Sequence, residues 1–494
     1  MDKLYKSTRG GQTPIDFYNA ILQGIASDGG LLVPNFAFEK KDLHALLKLD
    51  YVDLATEVIS AFTPDGTKEE IRALAKEAYA SGLFDEGVVP LKKAGSLYVA
   101  ELFHGQTAAF KDMALSLLPH FMTYSLKKKG ENREVMILAA TSGDTGKAAL
   151  EGFKDVPGTT IKVFYPIDGV SNIQKQQMVT TTGNNVEVVG IHGNFDDAQR
   201  AVKEAFASTK LKALCEEHNV FLSSANSINI GRLIPQIVYY FHSYLTLVRD
   251  GTIELGHQVN FTVPSGNFGN CLAGWIAKQM GLPVHRFIVA SNKNNILTDF
   301  FKTGEYDARR EFYKTNAPAM DILVSSNLER LVYFMVNGDT AKVKSFMDEL
   351  NKDGIYRIDE ETLKTIQDQF SAGFLSEEEV LETIKTVYVD HGYLLDTHTA
   401  VGYGVYEEYF RNTGDTTPTV LLSTASPYKF PESVYEALTG KKEDVYQAID
   451  DLHKLTAVEI PYPLKGIKDR KVLHKGVIDK EEILDFVAKR IEEL

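Results

Sequence analysis

The chain is poor in cysteine: Cys215 and Cys271 are the only two among 494 residues. Two cysteines make neither a disulfide framework nor a cysteine zinc site, and they suit a reducing cytosol. Long apolar runs are also missing, since none approaches the ~18 consecutive residues of a membrane span. The N-terminal stretch MDKLYKSTRGG lacks the apolar core of a signal peptide, so the chain reads as soluble and cytoplasmic, with no membrane partner. Positive charge is in short supply. Fifty-three Lys and Arg against 67 Asp and Glu give a formal net charge of -14. A nucleic-acid binder carries the opposite balance. No grouping of His, Cys, Asp and Glu has metal-ligand spacing, so no metal site is expected.

What is present is ordinary for a large globular protein: 44% hydrophobic and 24% charged residues, enough for an extensive core. The length suggests about three domains or subdomains. Residues 1 to 95 read as mainly helical, with IDFYNAILQGI and KKDLHALLKL apolar at helical spacing. From 96 to 295 short apolar runs alternate with amphipathic stretches. Strands are expected at 135–140, 161–166, 186–191, 259–264 and 286–291, and TPTVLLSTAS (417–426) carries one more. This alternation predicts an α/β fold with parallel strands wrapped by helices, in which ligands sit beyond the carboxyl ends of the strands. Residues 296–390 read as a helical insertion or second lobe. Residues 431–494 read as a polar C-terminal segment with an amphipathic helix near its end.

Two strand-to-helix loops are rich in backbone N–H groups. TSGDTGK follows the strand at 135–140. It fails the Walker pattern twice, because Gly146-Lys147 is followed by Ala148 and the first glycine is replaced by Thr141. A capped turn and an anion site are equal readings of it. SGNFGN (265–270) follows the strand at 259–264. Its glycines are three apart, so it is no dinucleotide fingerprint, yet they let backbone approach a dianion at a helix N-terminus. A sheet shared by both loops favours a ligand site over a pair of tight turns. Lys111 opens an apolar helical stretch, where desolvation makes an amine nucleophilic; a lysine snorkelling off a helix is the ordinary alternative. Thr424 offers a hydroxyl after a buried strand, or merely caps a turn. In SSANSINIGRLIPQ (223–236), Arg232 is a fork for phosphate or carboxylate, beside residues that otherwise read as caps.

Taken in order, LYKSTRG, ASDGGLLVP, FHGQTAAFKD, AATSGDTGKAA, SANSINIGRLIPQ, VPSGNFGN, SSNLERL, DTHTAVG and LLSTASPYKF resemble the threonine synthases of the longer bacterial and fungal type. These belong to the fold type II group of pyridoxal-phosphate enzymes. The resemblance covers nearly the whole chain. It implies parallel sheets in two lobes, with a family-specific N-terminal subdomain over 1–95, a catalytic region over 96–430 and a C-terminal helical segment over 431–494. It implies a carbon–oxygen lyase that eliminates phosphate from O-phospho-L-homoserine and adds water to give L-threonine, the last step of threonine biosynthesis. The cofactor is pyridoxal 5'-phosphate, and a monomer is expected over a dimer. The rivals are a serine or threonine dehydratase and a silent relative that binds phosphorylated metabolites.

By matching motifs, the resemblance makes Lys111 the Schiff-base lysine. It makes Gly266, Asn267, Phe268, Gly269 and Asn270 the cradle of the cofactor phosphate, and Thr424 the partner of the pyridine nitrogen. Thr141, Ser142, Gly143, Asp144 and Thr145 grip the substrate's carboxylate end, with Asn226 and Arg232 as further substrate contacts. His104 and His398 are open between a role in the site and a structural one. The chain departs from the family pattern at Gln106, where proline is frequent, at Ser426-Pro427-Tyr428, where His-Pro-Ala is usual, and at Asn295, where aspartate is usual.

Overall fold

The computed structural model describes residues 3–85, 87–141 and 143–494. The N-terminal region is helical, as its periodicity predicts, but it is organised on a small antiparallel sheet of β1 (Leu4–Ser7), β2 (Ile15–Asp16) and β3 (Leu32–Pro34), in the order β2-β1-β3. These strands are two to four residues long, too short for a period-2 pattern to register in sequence.

A hairpin of β4 (Leu91–Ala94) and β5 (Leu97–Glu101) follows. The chain then builds a separate sheet from β6 (Glu134–Ala140), β7 (Thr159–Pro166), β8 (Val186–His192) and β9 (Val220–Ser224), all paired in parallel. It returns to extend the hairpin sheet with β10 (Val259–Pro264) and β11 (Val284–Ser291). An antiparallel pair, β12 (Glu305–Asp307) and β13 (Ile355–Arg357), stands apart. β14 (Phe370–Phe374) and β15 (Thr419–Ser423) complete the larger sheet, and β16 (Gly476–Asp479) joins the smaller one. The orders are β14-β11-β10-β15-β5-β4 and β16-β8-β7-β6-β9. Every residue of β7 and of β10 is buried, the signature of parallel strands covered by helices on both faces.

The two N–H-rich loops therefore do not share a sheet, contrary to the expectation from sequence. TSGDTGK leaves β6 in the five-stranded sheet and SGNFGN leaves β10 in the six-stranded sheet. Strand periodicity reports burial and not which strands pair, so one run of alternating elements reads the same whether it makes one sheet or two. The stretch read as a helical insertion also supplies β14, an edge strand of the larger sheet.

The last sixty residues serve both lobes. Helices Pro431–Thr439 and Val445–Thr456 pack with helices Glu377–His391 and Thr397–Thr413 over the larger sheet. The helix Ile483–Glu492 buries Ile483, Val487 and Ile491 against the smaller sheet, and Arg490 donates twice to Glu187 on β8, at 2.8 and 2.6 Å.

Arg330, fully buried, ties three segments together. Its guanidinium donates to Leu32 O, Ile228 O and Asn327 Oδ1. Removing it orphans two buried acceptors and one partly buried one, at about 1–3 kcal/mol for each buried group. Arg330→Met is expected to lower the unfolding free energy by about 3 kcal/mol or more, read from urea denaturation.

Candidate active site

β5 and β15 run parallel, with Leu422 opposite Ala100. Beyond their ends the chain continues to pair: Ala109 bridges Ala425, Phe110 N–H donates to Thr424 O at 2.8 Å, and Ser426 N–H donates to Ala108 O at 3.1 Å. Thr424 and Lys111 are thereby brought to the same end of the larger sheet. Lys111 is the cap of a short helix, Asp112–Leu115. Its Nζ lies 4.0 Å from Asp144 Oδ2 and 4.7 Å from the centre of the Phe110 ring. Asp144 begins the helix Asp144–Phe153 after β6, so the contact spans the two lobes.

Burial is the main cause that pulls the Lys111 amine down to about 8; the positive charges of Arg232 and Lys429 act in the same direction, and Asp144 and Asp112 oppose them. Burial also works against the Asp144 carboxylate, but Lys429 and Lys111 outweigh it and hold that group well below the ordinary range. Asp112 accepts from both the N–H and the hydroxyl of Thr107, at 2.8 and 2.7 Å. Burial nonetheless raises it to about 6.

Lys111, Thr141, Asp144, Thr145, Asn226 and Asn267 line a cavity of about 740 Å³ between the lobes, a size suited to a small-molecule site. Ser142 lies outside the described residues. The Thr141 hydroxyl is engaged within its own loop, accepting from Gly143 N–H at 2.9 Å and Gly146 N–H at 2.8 Å. Gly143 has φ +138°, and a Cβ there would stand 2.3 Å from Gln174 Cδ. Gln174 in turn donates to Asp144 Oδ1 at 3.0 Å. Asn226 donates to Ala140 O at 3.1 Å and so links the ends of β9 and β6.

Phe268 is left-handed, φ 63°, and caps the helix Gly269–Gln279 without a side-chain hydrogen bond. Among the described residues, the N–H groups of Gly266, Asn267, Phe268, Gly269 and Asn270 meet no protein acceptor, which leaves donors at a helix N-terminus for an anion. The Asn270 side chain braces the loop, accepting from Ser265 Oγ at 2.7 Å and donating to Pro264 O at 2.9 Å. Gly266 lies against Ala319, whose carbonyl oxygen a Cβ would approach to 2.9 Å.

Arg232 sits on a short helix, Ile230–Leu233, that packs against both the Lys111 helix and the helix after SGNFGN. It is buried, one terminal nitrogen donates to Ala225 O at 2.7 Å, and its Nε has no partner among the described residues. A buried cation short of an acceptor, free loop N–H groups and a desolvated lysine together fit a phosphate-bearing aldehyde. Lys111 would hold its aldehyde carbon and SGNFGN its phosphate.

Both histidines left open find structural partners. His104 Nε2 is 2.9 Å from Glu101 Oε2, in the wall of a different cavity. His398 donates from Nδ1 to Asp396 Oδ1 at 3.0 Å, and its Nε2 accepts from Ala319 N–H at 3.0 Å; this positions the segment beside Gly266.

Sequence reasoning missed Lys429. It is fully buried, 2.9 Å from Asp144 Oδ1. The signal was a single lysine between two aromatics in SPYKFP. Arg9, which stands out in sequence only as part of the polar cluster Ser7, Thr8 and Arg9, lines the cavity and is held by two bonds to Glu329, at 2.9 and 2.8 Å.

Below about 8, the free-base fraction of Lys111 should fall about tenfold per pH unit, and the rate of pyridoxal phosphate uptake by the purified chain, followed by absorbance, should fall with it. Gly143→Ala forces a residue with a Cβ into a glycine conformation at about 1–3 kcal/mol and displaces Gln174; cofactor affinity should drop by about tenfold or more.

A family model described as "Pyridoxal-phosphate dependent enzyme" matches residues 86–424. "Threonine synthase N terminus" matches residues 4–79 and "Threonine synthase, C-terminal" residues 399–462. The chain is 38% identical to threonine synthase-like 1 of Homo sapiens over 86% of its own length, but spans only 58% of that protein. It is 38% identical to threonine synthase of Pseudomonas aeruginosa, covering 91% of this chain and 93% of the relative. The solved structure of PLP-bound threonine synthase from Brucella melitensis superposes with a TM-score of 0.86 at 37% identity, covering 99% of each chain. The chain belongs to the threonine synthase family of pyridoxal-phosphate-dependent enzymes.

Proposed function

We propose that the chain is a threonine synthase that converts O-phospho-L-homoserine and water into L-threonine and phosphate. The observation that carries this reading is the desolvated Lys111 amine facing Asp144 across the cavity, beside the free N–H groups of SGNFGN. When bound, pyridoxal phosphate supplies the electron sink that makes the substrate's α- and β-protons removable. Lys111, released on substrate binding, takes the α-proton and then a β-proton as a general base, a task that a buried amine near 8 performs at neutral pH. Phosphate leaves from the γ-carbon with the C–O bond electrons, and one abstracted proton is returned to the γ-carbon to make the methyl group. The hydroxyl of water adds at the β-carbon while its remaining proton goes to phosphate, and the α-carbon takes back a proton as L-threonine is released.

The remaining groups bind and orient. Gly266 to Asn270 would hold the cofactor phosphate and the Thr424 hydroxyl would partner the pyridine nitrogen, with Arg232 a further substrate contact. Thr141, Gly143, Asp144, Thr145 and Asn226 surround the substrate's carboxylate end, with Thr141 acting through the loop that it braces. Arg9 stands in the cavity wall, where a cation suits the substrate's phosphate. The apolar side chains Phe195, Val202 and Phe206 in the cavity lining help to exclude water from reactive species. No helix among the described residues is long and apolar enough to cross a membrane; we place the enzyme in the cytoplasm and regard it as a monomer.

The test is product analysis. With O-phospho-L-homoserine, the loaded protein should release phosphate and L-threonine in equal amounts. Lys111→Ala should lose the visible absorbance band and at least about 10³-fold in turnover. Preferential deamination of free serine or threonine would instead assign a dehydratase, and a bound cofactor with no turnover of either would sink both.

A further inference from the structure

Lys429 lies in none of the roles assigned so far, yet it is placed with unusual completeness for a lysine. Its ammonium is fully buried and meets Asp144 Oδ1 at 2.9 Å, Thr107 O at 3.1 Å and Gln177 Oε1. Those three acceptors use all three N–H donors of an ammonium. A lysine so fixed has no freedom to swing toward a substrate. Its Asp144 partner does face the cavity, with one carboxylate oxygen committed to Lys429 and Gln174 and the other 4.0 Å from Lys111 Nζ. The three groups form a row: fixed cation, fixed anion, reacting nitrogen.

We propose that Lys429 is a positioning residue that acts through Asp144 on the protonation of the Lys111 nitrogen. Two effects run in the same direction. Lys429 occupies Asp144 Oδ1 and spends part of the carboxylate's charge, so Asp144 attracts a proton on Lys111 less strongly than an unpaired carboxylate would. Lys429 also adds its own positive charge behind Asp144. Both favour the neutral nitrogen. The other charged groups facing Lys111 are Asp112 on its own helix, which opposes this, and Arg232 from the helix Ile230–Leu233, which reinforces it. Neither touches Lys429. Thr107 couples the two acids: its carbonyl accepts from Lys429 while its N–H and hydroxyl hold Asp112. The balance at Lys111 is thus set from one side by a buried, fully hydrogen-bonded pair.

The inference rests on Lys111 being the cofactor-linked nitrogen. A visible band in the loaded wild-type protein, absent in Lys111→Ala, establishes that separately. The experiment is an absorbance titration of the loaded, full-length protein against pH. In Lys429→Met the unpaired Asp144 carboxylate should stabilise the proton, and the midpoint of the spectral change should move up by roughly one to three pH units. Adding Asp144→Asn to Lys429→Met removes both charges and should return the midpoint to the wild-type value or below it. A packing role for Lys429 predicts no such reversal. If Lys429→Met does not fold, Asp144→Asn alone decides: the midpoint should move down, because Lys111 loses its nearest anion while Lys429 stays. A folded Lys429→Met with an unmoved or lowered midpoint, or an unmoved midpoint in Asp144→Asn, overturns the proposal.

Discussion

Burying a carboxylate between two lysines is costly unless every charge is matched, and here the matching crosses the interface between the lobes. Asp144 comes from the five-stranded sheet, while Lys111 and Lys429 flank β5 and β15 of the six-stranded sheet. Taking an ion out of water costs several kcal/mol even after relaxation. The arrangement persists because Gln174, Gln177 and Thr107 supply the hydrogen bonds that water would have made. A lobe displacement that broke the Asp144–Lys429 pair would strand two buried charges at once. The same contact therefore aligns the lobes and fixes the electrostatics around the reacting nitrogen.

Much of this was legible in the sequence, for identifiable reasons. Parallel strands buried on both faces are continuous apolar runs, so β6, β7, β8, β10 and β11 showed themselves to within about two residues. Glycine-rich turns after strands announced both loops. Strand partnership was not legible, because it depends on contacts between residues far apart in the chain. The strands β1 to β3 escaped because two to four residues are too few to show a period, and the edge strands β14 and β16 because their burial does not alternate.

The site divides along the same line. Residues whose type is dictated by backbone, such as Gly143 and Gly266, stood out because no other residue fits them. Lys429 did not, since a lone lysine in sequence reads as solvent-facing, and only the fold shows that its four-carbon stem is buried and its ammonium saturated. Thr141 illustrates the converse. A hydroxyl in a loop reads equally well as a ligand contact or a turn brace, and the hydrogen bonds from Gly143 and Gly146 place it in the brace.

Two buried arginines make the clearest contrast in the molecule. Arg330 is complete: its donors meet Leu32 O, Ile228 O and Asn327 Oδ1, while Asn327 N–H donates to Asn267 O at 3.0 Å. Through that relay the N-terminal module, the 226–230 loop and the SGNFGN loop are locked to one another, with Arg9 and Glu329 as a second clamp. This is how a region with little chemistry of its own shapes the site. Arg232 is incomplete, with a buried Nε that no described residue satisfies. Both arginines are buried, and only the first has Nε, Nη1 and Nη2 each on a protein acceptor. The second sits on a short helix packed against both the Lys111 helix and the helix after β10, a place where a buried cation suits an anion.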